Sequence, residues 1–184
     1  MRRSTLARAL ALAVAAIAVA GCDPRPFPAP AIESFVHTRE VPPLGATVDQ
    51  LDEATTTLVT DDGLHHVMAV KVMHRPAELR RGFAGIGRMP RGTGIVAIYA
   101  DDRTEGVSPA DLGEALDHTF IDADGQVVAV LRIAPCQAGA PCVAVDPEVT
   151  YRTILYTPSG WLLDQGIERG ARVELGPIEP PSEQ

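Results

Sequence analysis

Asp117 and His118 are the neighbouring side chains best suited by type to proton chemistry, a carboxylate beside an imidazole. Such groups act as general acid and base when both reach one cleft. The functional reading makes Asp117 a polar anchor in a cleft beside His118 or Arg88, and in its strongest form makes Asp117/His118 the acid/base pair of an envelope enzyme. The competing reading is structural. Asp117 lies between Leu116 and a strand, where a carboxylate is expected to accept hydrogen bonds from turn amides or an arginine. The other chemistry-bearing residues gather into no catalytic set. His65 and His66 are adjacent, so on a strand they point to opposite faces and cannot share one metal. His37, His74 and His118 are scattered. Asp122-x-Asp124-Gly125 opens like a calcium loop, but the twelfth position, which needs a glutamate, is Ile133. A hairpin turn is expected there instead. Ser159 lacks the Gly-x-Ser-x-Gly elbow and reads as a helix cap. The glycines from Gly82 to Gly94 do not follow a strand in phosphate-loop spacing. No metal or cofactor is implied.

The three cysteines divide by position. Cys22 ends an N-terminal segment with a charged start (Arg2, Arg3), an apolar run from about Ala7 to Val19, and small residues just before it (Ala20, Gly21). That is the pattern of a bacterial lipoprotein signal, with cleavage before Cys22 and lipid on the Cys22 sulfur and new amino terminus. The apolar run is short for a membrane span of about 20 residues and is interrupted by Arg8. Cys136 and Cys142 remain. In an exported chain, oxidising surroundings make a disulfide their default. A metal pair would want further Cys or His nearby, and Gln137-Ala138-Gly139-Ala140-Pro141 supplies none. A redox dithiol is usually spaced more tightly, as Cys-x-x-Cys.

Charge narrows the partners. The chain carries −8, and removing residues 1–21 takes away Arg2, Arg3 and Arg8 but no carboxylate, which makes it −11. Such a surface repels phosphate backbones and anionic headgroups. Nucleic acid is excluded as a partner class, and the membrane is reached through the acyl chains on Cys22, each buried CH₂ contributing about 0.8 kcal/mol. The expected location is the cell membrane, lipid-anchored on its extracytoplasmic (periplasmic or outer) face.

The elements that must position these residues read mainly as strands. Prolines alternate through residues 23–31 and favour an extended polyproline II stalk. Residues 22–54 thus form a lipidated tether and loosely packed lead-in, 55–176 a compact β domain, and 177–184 a disordered Pro/Glu-rich tail. Thr55–Thr60 and Leu64–Met73 flank Asp61-Asp62-Gly63 as a hairpin, the second strand apolar on both faces. Pro76 starts a short helix that Gly82 ends, and Gly94–Tyr99 is a buried strand. Ser108-Pro109-Ala110-Asp111 has the chemistry of a helix start, with Leu112, Ala115 and Leu116 as its apolar stripe. Thr119–Ile121 and Val127–Ile133 pair around Asp122-Ala123-Asp124-Gly125. Arg152–Tyr156 is a strand, Ser159 caps a helix through Trp161 to Leu163, and Arg172–Leu175 alternates as an edge strand should. The fold class is α+β: mainly β with short helices, a small antiparallel barrel or sandwich.

Three stretches together resemble the domain-of-unknown-function family 192. They are Arg80-Arg81-Gly82-Phe83-Ala84-Gly85 with Met89-Pro90 and Gly94; Ala115-Leu116-Asp117 running into Phe120-Ile121-Asp122-Ala123-Asp124-Gly125-Gln126-Val127-Val128; and Cys136, Cys142, Gly160-Trp161, Gly166-Ile167 and Gly170. The resemblance spans about Leu64 to Leu175 and implies a compact, mostly β domain, a small barrel or sandwich, with no established biochemical activity. Asp117 matches the family's Pro-Leu-Asp aspartate. Where the family has Gly-Leu-Met-x-Arg, this chain reads Gly82-Phe83-Ala84-Gly85-Ile86. Where it has Trp-Met-Lys-Asn, this chain reads Ser108-Pro109-Ala110-Asp111. A family site built on those positions is altered or lost here. The function expected is a non-enzymatic, lipid-anchored module that binds another envelope protein or a small ligand. The alternative is the enzyme using Asp117 and His118.

Overall fold

The computed structural model describes residues 48–181. The signal segment, Cys22, His37 and the proline-rich stretch lie outside the described residues. The first hairpin forms where the turn residues place it. β1 (Asp52–Val59) and β2 (His65–Met73) pair antiparallel with Thr56 opposite Met68. Gly63 takes φ 82° in the turn, and Thr60 Oγ1 accepts the Leu64 amide at 2.9 Å. α1 (Pro76–Arg81) begins with the proline in its first turn, where a missing amide costs no helical bond. Glu78 in that turn accepts the amides of His74 and Arg75. α1 then carries the chain across to β3 (Thr93–Arg103), which runs parallel to β2 with Val72 opposite Val96. A parallel neighbour needs such a crossover, so the sheet is mixed where an antiparallel one was expected.

β4 (Leu116–Ile121) and β5 (Val127–Ile133) form the second hairpin. Asp122 Oδ1 accepts the amides of Asp124 (3.0 Å) and Gln126 (2.8 Å), which makes this carboxylate a turn brace. β6 (Tyr151–Pro158), α2 (Trp161–Asp164) and β7 (Arg172–Leu175) complete a seven-stranded sheet of order β5-β4-β6-β3-β2-β1-β7. The sheet curls without closing into a continuous barrel. Its two edges meet at one corner, where the Val127 amide donates to Ala171 O (2.8 Å), the Val173 amide to Gly125 O (2.8 Å) and the Gly170 amide to Val127 O (2.9 Å).

Strand alternation splits the apolar residues between two faces. Leu58, Met68, Val70, Val96, Leu155, Ile121, Val127, Ile167 and Ala171 pack together. They come from both ends of the strand order, so this cluster fills the inside of the curl. On the other face, Met73, Ile95, Ala97, Ile154, Tyr156, Phe120 and Leu116 are covered by Leu51, Met89 and Leu112 from outside the strands.

The structure departs from the sequence reading at five places. Val48 and Leu51 are fully buried and β1 begins at Asp52, so the end of the lead-in belongs to the folded domain. Glu179 exchanges two backbone hydrogen bonds with Glu53, so the first residues of the tail extend the sheet edge. Residues 108–115 are not helical. Val107 pairs with Val145, Ser108 Oγ accepts the Ala110 amide, and a turn from Pro109 delivers Leu112 to the core before Leu116 opens β4. Ser159 does not cap α2; Gly160, at φ 82°, holds that position with no side-chain cap. In addition β2 buries both faces only at its end, where Val72 and Met73 enter opposite clusters; before that Val67 and Ala69 are exposed while Met68 and Val70 are buried.

Candidate functional site

β4 is buried along its whole length, and it decides the fate of the Asp117/His118 pair. As neighbours on a strand, the two side chains leave opposite faces of the sheet. Asp117 is 3% exposed, opposite Arg132 on β5 and Thr157 on β6. Its Oδ1 accepts Arg132 Nε at 3.1 Å and its Oδ2 accepts the Gly160 amide at 2.6 Å. The carboxylate therefore ties the turn that starts α2 to the β4–β5 hairpin. His118 is 1% exposed on the other face, edge-on to the Tyr156 ring at 4.7 Å, with Nδ1 3.3 Å from Leu116 O. Burial pushes its pKa down to about 4, so the imidazole is neutral at physiological pH. Arg88 stands in solvent with Nε 3.3 Å from Glu114. The structure brings none of the three into a shared cleft.

Phe83 and Ile86 sit over the second core layer: Phe83 packs edge-on to Tyr156 at 4.6 Å, and Ile86 joins the same apolar cluster. Cys136 and Cys142 are joined, with Cα atoms 5.4 Å apart, in the loop between β5 and β6. His65 is exposed and His66 half-buried on opposite faces of β2. Among the described residues, no group of three or more His, Cys, Asp or Glu is arranged to hold a metal.

A concave site lies elsewhere, on the β2–α1–β3 unit. His74, Pro76, Leu79, Arg80, Tyr99, Ala100, Asp101 and Arg103 line a groove of about 470 Å³, inside the range of roughly 300–1,000 Å³ of small-molecule sites. Tyr99, Asp101 and Arg103 line it from the end of β3, where the pairing with β6 shifts register between Ile98 and Arg103. The Arg103 guanidinium lies 4.9 Å above the Tyr99 ring, with Nε held by Glu105 at 2.8 Å. Tyr99 is itself braced edge-on by Tyr151. Burial raises the Tyr99 hydroxyl pKa, partly offset by a hydrogen bond from Tyr156. His74 Nε2 bonds Asp52 Oδ2 at 2.7 Å, and Arg75 Nη2 takes the other Asp52 oxygen at 2.6 Å. Sequence reasoning missed this constellation. Its one local signal is Tyr99-x-Asp101-x-Arg103, an alternation of aromatic and charged residues at the end of an apolar strand; Arg80 and His74 arrive only through the parallel crossover.

A curled, mostly antiparallel sheet with one parallel pair and two short helices defines the class: a small α+β domain. Residues 57–175 match the model of domain-of-unknown-function family 192, described as Uncharacterized ACR, and the chain belongs to that family. A candidate transcription regulator from Sinorhizobium meliloti 1021 shares the fold at a TM-score of 0.62 with 19% identity, over 68% of this chain and 95% of that one. A protein of unknown function from Novosphingobium aromaticivorans DSM 12444 superposes at a TM-score of 0.50 with 19% identity, covering 65% and 83%. At that identity the likeness concerns the fold alone. No curated protein matches the chain.

Proposed function

We propose that this protein is a lipid-anchored, extracytoplasmic domain that binds another envelope protein or a small ligand and carries out no reaction of its own. The observation that carries the reading is the disposition of Asp117. Its two oxygens are used by Gly160 and Arg132, while His118 is sealed on the opposite face. A general acid must reach the proton it moves, and neither group reaches a common one. The Cys136–Cys142 disulfide supports an oxidising compartment, and the signal pattern ending at Cys22 supports membrane attachment by lipid. The acidic balance of the chain speaks against a nucleic-acid role.

Fractionation of cells carrying Cys22→Ser tests the anchor. The wild-type chain is expected in the membrane fraction and the variant in the soluble extracytoplasmic fraction. Membrane retention of the variant would overturn the lipid attachment.

A further inference from the structure

We infer that the groove between α1 and β3 binds a small dipolar ligand, a free amino acid or a short peptide, with its carboxylate on Arg80 and its ammonium on Asp101. The inference deepens the binding-module reading and rests on it.

Two charges of opposite sign line this groove without an ion pair among the described residues: Arg80 from α1 and Asp101 from β3. Most of the charges around them are engaged. Asp52 holds His74 and Arg75, Glu78 holds Arg75, Glu105 holds Arg103, and Asp102 holds Arg152 at 2.8 Å. Unpaired surface charges are ordinary by themselves. Here the two share one concavity and flank an apolar floor of Pro76, Leu79 and the Tyr99 ring. A small-molecule site of this kind fixes orientation with a few polar groups around an apolar lining.

The mixture of signs selects the ligand class. A purely anionic ligand would find Arg80 and the outer nitrogens of Arg103 but be repelled by Asp101. A simple cation would find Asp101 opposed by both arginines. A ligand carrying carboxylate and ammonium satisfies both, with its short apolar body against the Tyr99 ring. The guanidinium suits the carboxylate because its planar donors match two oxygens at once. Arg103, pinned by Glu105 and stacked on Tyr99, narrows the open ring surface and adds a second donor group. The floor is held in place from beneath, since Tyr99 is braced edge-on by Tyr151 and packs against the buried core.

Titration of the full chain, followed by ¹H–¹⁵N NMR at the amides of Arg80, Tyr99 and Asp101, tests the assignment. The probes are L-alanine, L-alanyl-L-alanine, its N-acetyl form and its C-terminal amide. L-alanyl-L-alanine is expected to shift the groove amides saturably, and each blocked form to bind about two- to fivefold more weakly, as the loss of one exposed charge contact implies. Arg80→Gln should weaken the parent and N-acetyl probes but leave the amide unchanged. Asp101→Asn should weaken the parent and amide probes but leave the N-acetyl form unchanged. Both residues are exposed, so an unchanged urea midpoint verifies the fold of each variant. L-alanine binding as tightly as the dipeptide assigns a free amino acid; tighter dipeptide binding assigns a peptide. Groove amides unmoved by all four probes, or blocked forms that bind like the parent, overturn the inference. The binding-module reading falls separately, if a reaction is found that needs Asp117, and the lipid anchor falls if Cys22→Ser stays membrane-bound.

Discussion

Replacing Asp117 by alanine isolates the tie between β4 and the turn that opens α2. The carboxylate is 3% exposed, and its shorter bond is the one from the Gly160 amide, 2.6 Å against 3.1 Å from Arg132. Alanine leaves that amide without its acceptor and removes a charge-assisted bond, which together cost about 2–4 kcal/mol. The ion pair adds little. The Arg132 side chain is 55% exposed, so solvent screening holds its share to about 0–1 kcal/mol. Asp117→Asn keeps an acceptor for Gly160 but turns an amide NH₂ toward Arg132, for an expected loss of about 1–2 kcal/mol. Arg132→Gln is expected to cost at most about 1 kcal/mol. Urea unfolding monitored by Trp161, the residue after Gly160, reads all three variants against wild type. For a domain of this size, each kcal/mol lowers Tm by about 3–5 °C. The reasoning is refuted if Asp117→Ala costs under about 0.5 kcal/mol, or if Arg132→Gln costs as much as Asp117→Ala.

Three further outcomes follow from the same geometry. His118 has a folded pKa of about 4 against 6.5 when unfolded, so the unfolded chain binds the extra proton between those values and stability falls as pH drops from about 6.5 to 4. The full difference is about 3 kcal/mol, and denaturation of wild type and His118→Leu across that window should show a smaller slope in the variant. Gly125→Ala should lose about 1–3 kcal/mol by thermal melting, because Gly125 sits at φ 81° and a Cβ there would lie 2.9 Å from Val173 O at the corner where the sheet edges meet. Cys136→Ser should lower stability by about 2 kcal/mol, the chain-entropy value for so small a ring, and mass spectrometry without reductant should find the wild-type pair joined.

Local chemistry carried the hairpins. Asp61-Asp62-Gly63 and Asp122 to Gly125 specify tight turns, and the flanking alternation sets which residues face inward, so both strand pairs were legible without tertiary information. Pro76 and Gly82 marked α1 for the same reason. Residues 108–115 misled because Ser108 does brace a following amide, as a helix start would, while the contact that overrides it, Val107 with Val145, bridges two distant loops. Val48 and Leu51 were hidden because a short apolar pair in a proline-rich lead-in has no periodicity of its own. The parallel pairing of β2 with β3 leaves no local mark either, and it is that pairing which carries α1, and with it Arg80, over the end of β3. Asp117 was legible as a hydrogen-bonded aspartate. That His118 lies across the sheet from it follows from strand alternation, once β4 is known to begin at Leu116.

Native mass spectrometry of the full chain, purified gently from envelope membranes, tests most directly whether this is an anchored binding domain. The account predicts a mass that begins at an acylated Cys22 and contains one disulfide, with a stoichiometric bound ligand or protein partner. An unacylated chain that keeps residues 1–21, carries free thiols and holds no partner would contradict it.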